Sequence, residues 1–255
     1  YMDDALKILK KKSKALFGDP DSSYDPLKTG LVFFEDGLDG NLDAKLTTLN
    51  PNFAAFIVEL FTRSGLEPVN DNSKDIPKIA VAFTGSMPGA NLAVLSACES
   101  MGFEPVVITS LSSSNWGACK YDKFSWLDIE DELINSNKIY FNYRSVASSI
   151  GKGRDSGIDL VGGDLTKKQI INAIKKYRSD GVQFIYKEDE SLPYYIKKRM
   201  KIYDNKNDNA PYDLFVNVGG GVASVGWYRG IKKMSGFIPT DSLNQLYDDQ
   251  FITDC

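Results

Sequence analysis

The sequence contains no histidine. Histidine is the usual general base near neutral pH and the commonest protein ligand for transition metals. Its absence excludes the Ser-His-Asp and Cys-His mechanisms of hydrolysis. A hydrolase or transferase built on this chain would need lysine or a carboxylate as its base. We expect no metal centre and no cofactor.

Cysteines, long apolar runs and a strong net charge are also lacking. The three cysteines, Cys98, Cys119 and Cys255, form no CxxC pair and indicate neither a disulfide framework nor a metal cluster. No apolar run approaches the roughly 18 residues that a membrane span needs. A net charge of −4 gives no general attraction to nucleic acid, so we expect no such partner and only local binding of anions.

Apolar strands alternate with helices along the chain. Residues 78–84 form a near-continuous apolar strand, as is typical of a parallel sheet covered on both faces. The sequence therefore predicts an α/β fold: an open, mostly parallel sheet with helices on both faces, layered like a Rossmann fold but without its nucleotide-binding motif. We expect 79–83 and 214–218 to be interior strands. Residues 1–65 should form a helical segment that packs on an α/β domain of residues 66–255.

Local signals place the individual elements. The predicted helices cover 3–17, 90–101, 125–135 and 191–203, with one more starting at the Asn50-Pro51 pair and another at a capping box of Thr166 and Gln169. The predicted strands cover 31–34, 78–84, 104–109, 139–146, 182–186 and 213–218.

Two glycine-rich loops follow apolar strands. Phe83 leads into Thr84-Gly85-Ser86-Met87-Pro88-Gly89, and Asn217-Val218 leads into Gly219-Gly220-Gly221. Ligands of open α/β sheets bind beyond the carboxyl ends of the strands, and glycine lets the backbone approach them closely. We expect the two loops to lie together and to bind an anion, although each also fits a plain turn between strand and helix. Neither matches a phosphate-loop or dinucleotide motif, so no nucleotide is expected.

A third glycine-rich loop carries charge. It contains Gly151-Lys152-Gly153-Arg154-Asp155. Lys152 and Arg154 could clamp a carboxylate while Asp155 orients the arginine. A solvated surface loop is the alternative.

Six short segments are distinctive as a set. They are LDAK at 42–45, NPNFAA at 50–55, TGSMPGAN at 84–91, SNWGA at 114–118, FSWLD at 124–128 and NVGGGVA at 217–223. Together they resemble the poly-γ-glutamate system protein family, an envelope component encoded beside genes for the synthesis of capsular or secreted poly-γ-glutamate. Members of the family typically carry an N-terminal membrane anchor.

The resemblance implies a component of a bacterial system that synthesises or exports poly-γ-glutamate. It implies a place in the cell envelope, outside the cytoplasm, with an anchor absent from this chain. The expected partners are an acidic small molecule or poly-γ-glutamate, and membrane-bound synthase components. Two alternatives stay open: a histidine-independent hydrolase or transferase acting on γ-glutamyl amide bonds, and a structural partner of the synthase.

The candidate site residues follow from the loops and the resemblance. The catalytic candidates are Ser86, with a lysine as base, and Asp155. The ligand-binding candidates are Lys45, Thr84, Gly85, Ser86, Gly89, Asn91, Asn115, Gly151, Lys152, Gly153, Arg154, Gly219, Gly220, Gly221 and Ser224.

Overall fold

The computed structural model describes residues 1–69, 75–136 and 143–225. The helices are α1 (Met2–Phe17), α2 (Leu42–Thr48), α3 (Asn52–Arg63), α4 (Pro88–Met101), α5 (Trp126–Asn135), α6 (Gly163–Lys176), α7 (Leu192–Lys206) and α8 (Val222–Val225). The strands are β1 (Lys78–Thr84), β2 (Glu104–Ser110), β3 (Cys119–Lys120), β4 (Phe124–Ser125), β5 (Ala147–Ser149), β6 (Gln183–Ile185) and β7 (Leu214–Asn217).

Among the described residues, a five-stranded parallel sheet forms the centre of the fold, in the order β6-β5-β2-β1-β7. The chain proceeds outward from β1 through β2 and β5 to β6, then returns to place β7 on the other side of β1. The strand order thus reverses between β1 and β7. In open α/β sheets such a switch point is where the loops diverge and leave a crevice for ligands.

Helices cover both faces of the sheet. On one face, Ile79, Val81 and Phe83 of β1 join the core formed with α1, α3, α4, α5 and α6. On the other face, Ala80 of β1 packs in a smaller cluster that includes buried residues of α7. The side chains of β1 alternate between the two clusters because successive residues of a strand point to opposite faces. The predicted α/β fold, with an open parallel sheet, is confirmed.

The N-terminal residues contribute to the larger of these two cores. Leu9 of α1 and Phe61 of α3 are buried in the same cluster as the residues of β1. Between these helices the buried carboxylate of Asp25 accepts hydrogen bonds from the backbone N–H groups of Thr29, at 3.0 Å, and Gly30, at 2.8 Å. These bonds hold the connection in a fixed path, because an unsatisfied buried N–H group is costly.

Local signals predicted most helix and strand positions to within a few residues. Glycine ends α4 as expected, because Gly102 adopts a left-handed conformation with φ of 72°. The Asn50-Pro51 signal is one residue early, since α3 begins at Asn52 while the side chain of Asn50 accepts a hydrogen bond from the N–H of Asn52.

Three predictions of detail are wrong. The helix predicted to open with a capping box at Thr166 begins three residues earlier, at Gly163. Leu31, Val32 and Phe33 are buried, but residues 31–34 form no strand. Within the described part of the chain β7 is an edge strand rather than an interior one, with Phe215 48% exposed. The strand predicted at 139–146 lies partly outside the described residues, and β5 begins after it.

Candidate functional site

A cavity of about 440 Å³ opens at the carboxyl edge of the sheet, at the switch point between β1 and β7. This volume lies within the usual range for small-molecule sites. Its lining comes from the loops after β1, β2, β5 and β7, together with α2 and the start of α8. The residues are Lys45, Phe83, Thr84, Ser86, Met87, Ser110, Ser112, Ser114, Gly151, Lys152, Gly153, Arg154, Asp155, Val218, Gly219, Gly220, Gly221, Val222, Ala223 and Ser224.

The loops after β1 and β7 converge there, as the sequence predicted. At Gly219, where φ is 92°, an added Cβ would lie 2.7 Å from Cγ2 of Thr84. Both the backbone conformation and the contact therefore require glycine. Within the described residues the N–H groups of Gly219 and Gly220 have no hydrogen-bond partner, and both residues line the cavity.

The loop after β5 reaches the cavity in an unusual conformation. Gly151, Lys152, Gly153, Arg154 and Asp155 all have positive φ, between 43° and 81°. Positive φ is sterically unfavourable for residues that have a side chain. Strained segments of this kind concentrate at functional sites. The loop brings both Lys152 and Arg154 to the cavity.

A buried ion pair anchors this charged loop. Oδ2 of Asp155 accepts hydrogen bonds from Nε and Nη2 of Arg199, at 3.1 and 3.0 Å. Its Oδ1 accepts from Oγ of Ser149, at 2.6 Å, and from the N–H of Gly151, at 3.0 Å. Nη2 of Arg199 also donates to Oγ of Ser110, at 2.8 Å. Both carboxylate oxygens are thus occupied, which favours a positioning role for Asp155 over the catalytic role considered from sequence.

Arg199 was not predicted to belong to the site, because the sequence of its helix is typical of a lysine-rich, solvent-exposed surface. Yet Tyr195, Arg199 and Ile202 lie at helical spacing, and all three are buried in α7. An arginine on the apolar face of a helix was therefore the available signal. Nη1 of Arg199 has no hydrogen-bond partner among the described residues, although it is buried.

Lys45 of α2 is buried beside two loops of the site. Its Nζ donates to the main-chain O of Ser86 and to Oγ of Ser114, at 2.9 Å in the latter case. Burial lowers the pKa of Lys45 to about 8, and no carboxylate in the described residues offsets this effect. Oγ of Ser86 accepts from the N–H of Ser114, at 2.9 Å, which links the loops after β1 and β2.

Four predicted ligand-binding residues do not line the cavity, and each has a structural contact instead. A Cβ at Gly85 would overlap the carbonyl O of Leu111, and one at Gly89 would lie 2.6 Å from the carbonyl O of Thr48. Asn91 is fully buried and donates through Nδ2 to the carbonyl O of Thr84, at 2.9 Å.

Asn115 is the fourth of these residues. Its Oδ1 accepts a hydrogen bond from the N–H of Glu35, at 2.9 Å, and its own N–H donates to the carbonyl O of Asp39, at 2.8 Å. It thereby ties the N-terminal segment to the loop after β2, away from the cavity lining.

Other candidate chemistry is limited in the described ranges. There, no group of three or more Cys, Asp or Glu residues could hold a metal ion. Burial in α4 raises the pKa of the Cys98 thiol, as expected for a core residue. None of the described helices has the length and apolarity required to cross a bilayer.

Comparison of the chain with protein-family models, with curated proteins and with solved structures found no match. The resemblance to the poly-γ-glutamate system proteins therefore rests on the six sequence segments alone.

Proposed function

We propose that the cavity binds the carboxylates of an acidic ligand and that the protein is a component of a bacterial system for poly-γ-glutamate synthesis or export. One observation carries the binding proposal. Among the described residues, the charged side chains that line the cavity are three cations, Lys45, Lys152 and Arg154, and one carboxylate, Asp155. Since Arg199 already neutralises that carboxylate, Lys45 and Lys152 give the described part of the lining an excess of positive charge, although the whole chain is negative.

The donors at the cavity suit carboxylates in particular. Backbone N–H groups at Gly219 and Gly220 would supply short-range hydrogen bonds, while Lys152 and Arg154 supply charge. Hydrogen bonds to charged groups contribute about 1.5–3 kcal/mol each, more than neutral ones. A γ-linked glutamate chain offers one free α-carboxylate per residue, so the polymer named by the sequence resemblance matches the chemistry of the cavity.

Calorimetric titration with a γ-linked glutamate oligomer tests the proposal. Wild type should bind, with affinity that falls as salt is raised. Arg154→Ala should weaken binding about tenfold or more, because a charge-assisted hydrogen bond is lost. Arg154→Lys should recover only part of the loss, since a point charge cannot reproduce a bidentate contact.

Lys168→Ala is the matched control. It removes one positive charge from the exposed surface of α6, outside the cavity lining. Its affinity should stay within twofold of wild type. Equal losses in Arg154→Ala and Lys168→Ala would mean that only net charge matters, and absence of binding by wild type would refute the proposal.

A further inference from the structure

Lys45 and Ser114 form a contact that recognition of a carboxylate does not require. Nζ of Lys45 lies 2.9 Å from Oγ of Ser114, and both residues line the cavity. Lys45 is only 5% exposed. A buried lysine is normally paired with a carboxylate, because an uncompensated buried charge is costly. Here its partners within the described residues are the hydroxyl of Ser114 and the main-chain O of Ser86.

We propose that Ser114 is the nucleophile and Lys45 the general base of an acyl-transfer site that acts on γ-glutamyl amide bonds. The choice of substrate rests on the proposed function, whereas the pair itself rests on geometry. A serine is activated by an adjacent base within hydrogen-bond reach, and lysine can fill that role when its environment holds it neutral. In a chain without histidine, lysine is a suitable residue for this task.

The geometry selects Ser114 over Ser86, the serine suggested by the sequence. Within the described residues, the hydrogen bond of Lys45 to Ser86 is made at the main-chain O, whereas its hydrogen bond to Ser114 is made at the reactive hydroxyl. Oγ of Ser86 instead accepts the N–H of Ser114. Ser86 is therefore a positioning residue: its carbonyl orients the amine of Lys45, and its hydroxyl fixes the backbone of Ser114.

The reaction balances with water as the only co-reactant. As Oγ of Ser114 attacks the γ-carbonyl carbon, Nζ of Lys45 takes the hydroxyl proton. Collapse of the tetrahedral intermediate breaks the C–N bond, and Lys45 returns the proton to the leaving amine. Water, deprotonated by Lys45, then attacks the acyl-serine, and Oγ regains a proton as the acid leaves. An amine in place of water would give transfer instead of hydrolysis.

Several charged or titratable groups surround Lys45. Burial is the main cause of its lowered pKa, and Cys119 on β3 acts in the opposite direction. Lys152, Arg154 and Asp155 lie on the loop that completes the same cavity. Asp155 is held by Arg199, so it is not placed to accept the proton in place of Lys45.

The experiment uses the γ-p-nitrophenyl ester of N-acetylglutamate as an activated probe. Wild type should release p-nitrophenol and gain one N-acetylglutamyl group on the peptide that contains Ser114, as detected by mass spectrometry. The rate should rise with pH toward a plateau above the lysine pKa of about 8, because the neutral amine is the base. Ser114→Ala and Lys45→Met should each lower the rate about 100-fold or more.

Ser179→Ala is the control, since this serine is exposed and lies outside the cavity lining. It should react at the wild-type rate. Melting curves of all variants check folding, and Ser114→Ala tests the pair independently of Lys45→Met. Acylation of Ser86 or another residue, an unchanged rate in Ser114→Ala, or a rate independent of pH would overturn the proposal.

The binding proposal and the acylation proposal can be refuted independently of each other. Wild type that binds the γ-linked oligomer without being acylated would refute the Ser114–Lys45 site and leave the proposed function standing. Acylation of Ser114 without binding of the oligomer would refute the recognition of poly-γ-glutamate and leave the nucleophile.

Discussion

Replacement of Asp155 by alanine should destabilise the protein more than any surface change in the same loop. The carboxylate is buried, with a side chain 1% exposed, and it pairs with Arg199, whose side chain is 3% exposed. It also accepts hydrogen bonds from Ser149 and Gly151. The substitution thus leaves a buried guanidinium without its counter-ion and removes the acceptor from two further donors.

The magnitude follows from these contacts. Removing one partner of a buried ion pair costs about 3–5 kcal/mol, because the other charge stays buried without compensation. The orphaned N–H of Gly151 and hydroxyl of Ser149 belong to the same network, so their losses do not simply add. We expect Asp155→Ala to lower the free energy of unfolding by about 3–5 kcal/mol.

Urea unfolding of four proteins measures this effect: wild type, Asp155→Ala, Arg199→Met and the double variant. The double variant should be more stable than Asp155→Ala, because removal of the second charge relieves the first loss. Asp159→Ala, an exposed position in the same loop, is the control and should change stability by less than about 0.5 kcal/mol. A loss in Asp155→Ala no larger than that of the control would refute the anchoring role.

Three further predictions concern stability. Burial raises the pKa of Glu130 to about 7, so the native state holds a proton that the unfolded chain releases near the ordinary value of 4.5. Wild-type stability should therefore fall between about pH 4.5 and 7, by on the order of 3 kcal/mol, and Glu130→Gln should lack this pH dependence in urea titrations. Gly85→Ala should lower the melting temperature sharply, because its Cβ would overlap the carbonyl O of Leu111, whereas Gly221→Ala should melt near wild type, since the nearest atom to its Cβ is 3.5 Å away. Lys45→Met should raise stability at pH 7, where the wild-type amine is charged against its surroundings, and the gain should shrink as the pH rises from about 8 to 10.5. The Glu130 assignment would be contradicted if wild type and Glu130→Gln showed the same dependence of stability on pH. The glycine assignment would be contradicted if Gly85→Ala and Gly221→Ala had the same melting temperature. The Lys45 assignment would be contradicted if the stability gained in Lys45→Met did not change with pH.

The fold could be predicted from sequence where interactions between neighbouring residues determine the structure. The apolar run at 78–84 is typical of a strand that is buried on both faces. Gly102 ends α4, because it adopts the left-handed backbone conformation that favours glycine. The edge position of β7 in the described sheet could not be predicted from the sequence. Its run of apolar residues resembles that of β1, and the order of strands is decided by how the loops and helices pack.

Only part of the candidate site could be predicted from sequence. Loops that follow parallel strands meet at one edge of a sheet, so the convergence of Gly219 with Thr84 follows from strand direction. The contact between Lys45 and Ser114 joins residues 69 positions apart, and no local pattern encodes it. The pairing of Arg199 with Asp155 spans 44 positions, and only the helical spacing of buried residues in α7 hinted at it.

The central claim is that an acidic ligand binds at the switch-point cavity, and amide-resolved NMR tests it most directly. Titration of a ¹⁵N-labelled protein with a γ-linked glutamate oligomer should shift the N–H signals of Gly219 and Gly220, together with those of Lys152 and Arg154. These residues line the cavity from two different loops. Shifts confined to the separate groove beside Lys198 and Lys201 of α7, or no shifts at all, would contradict the account.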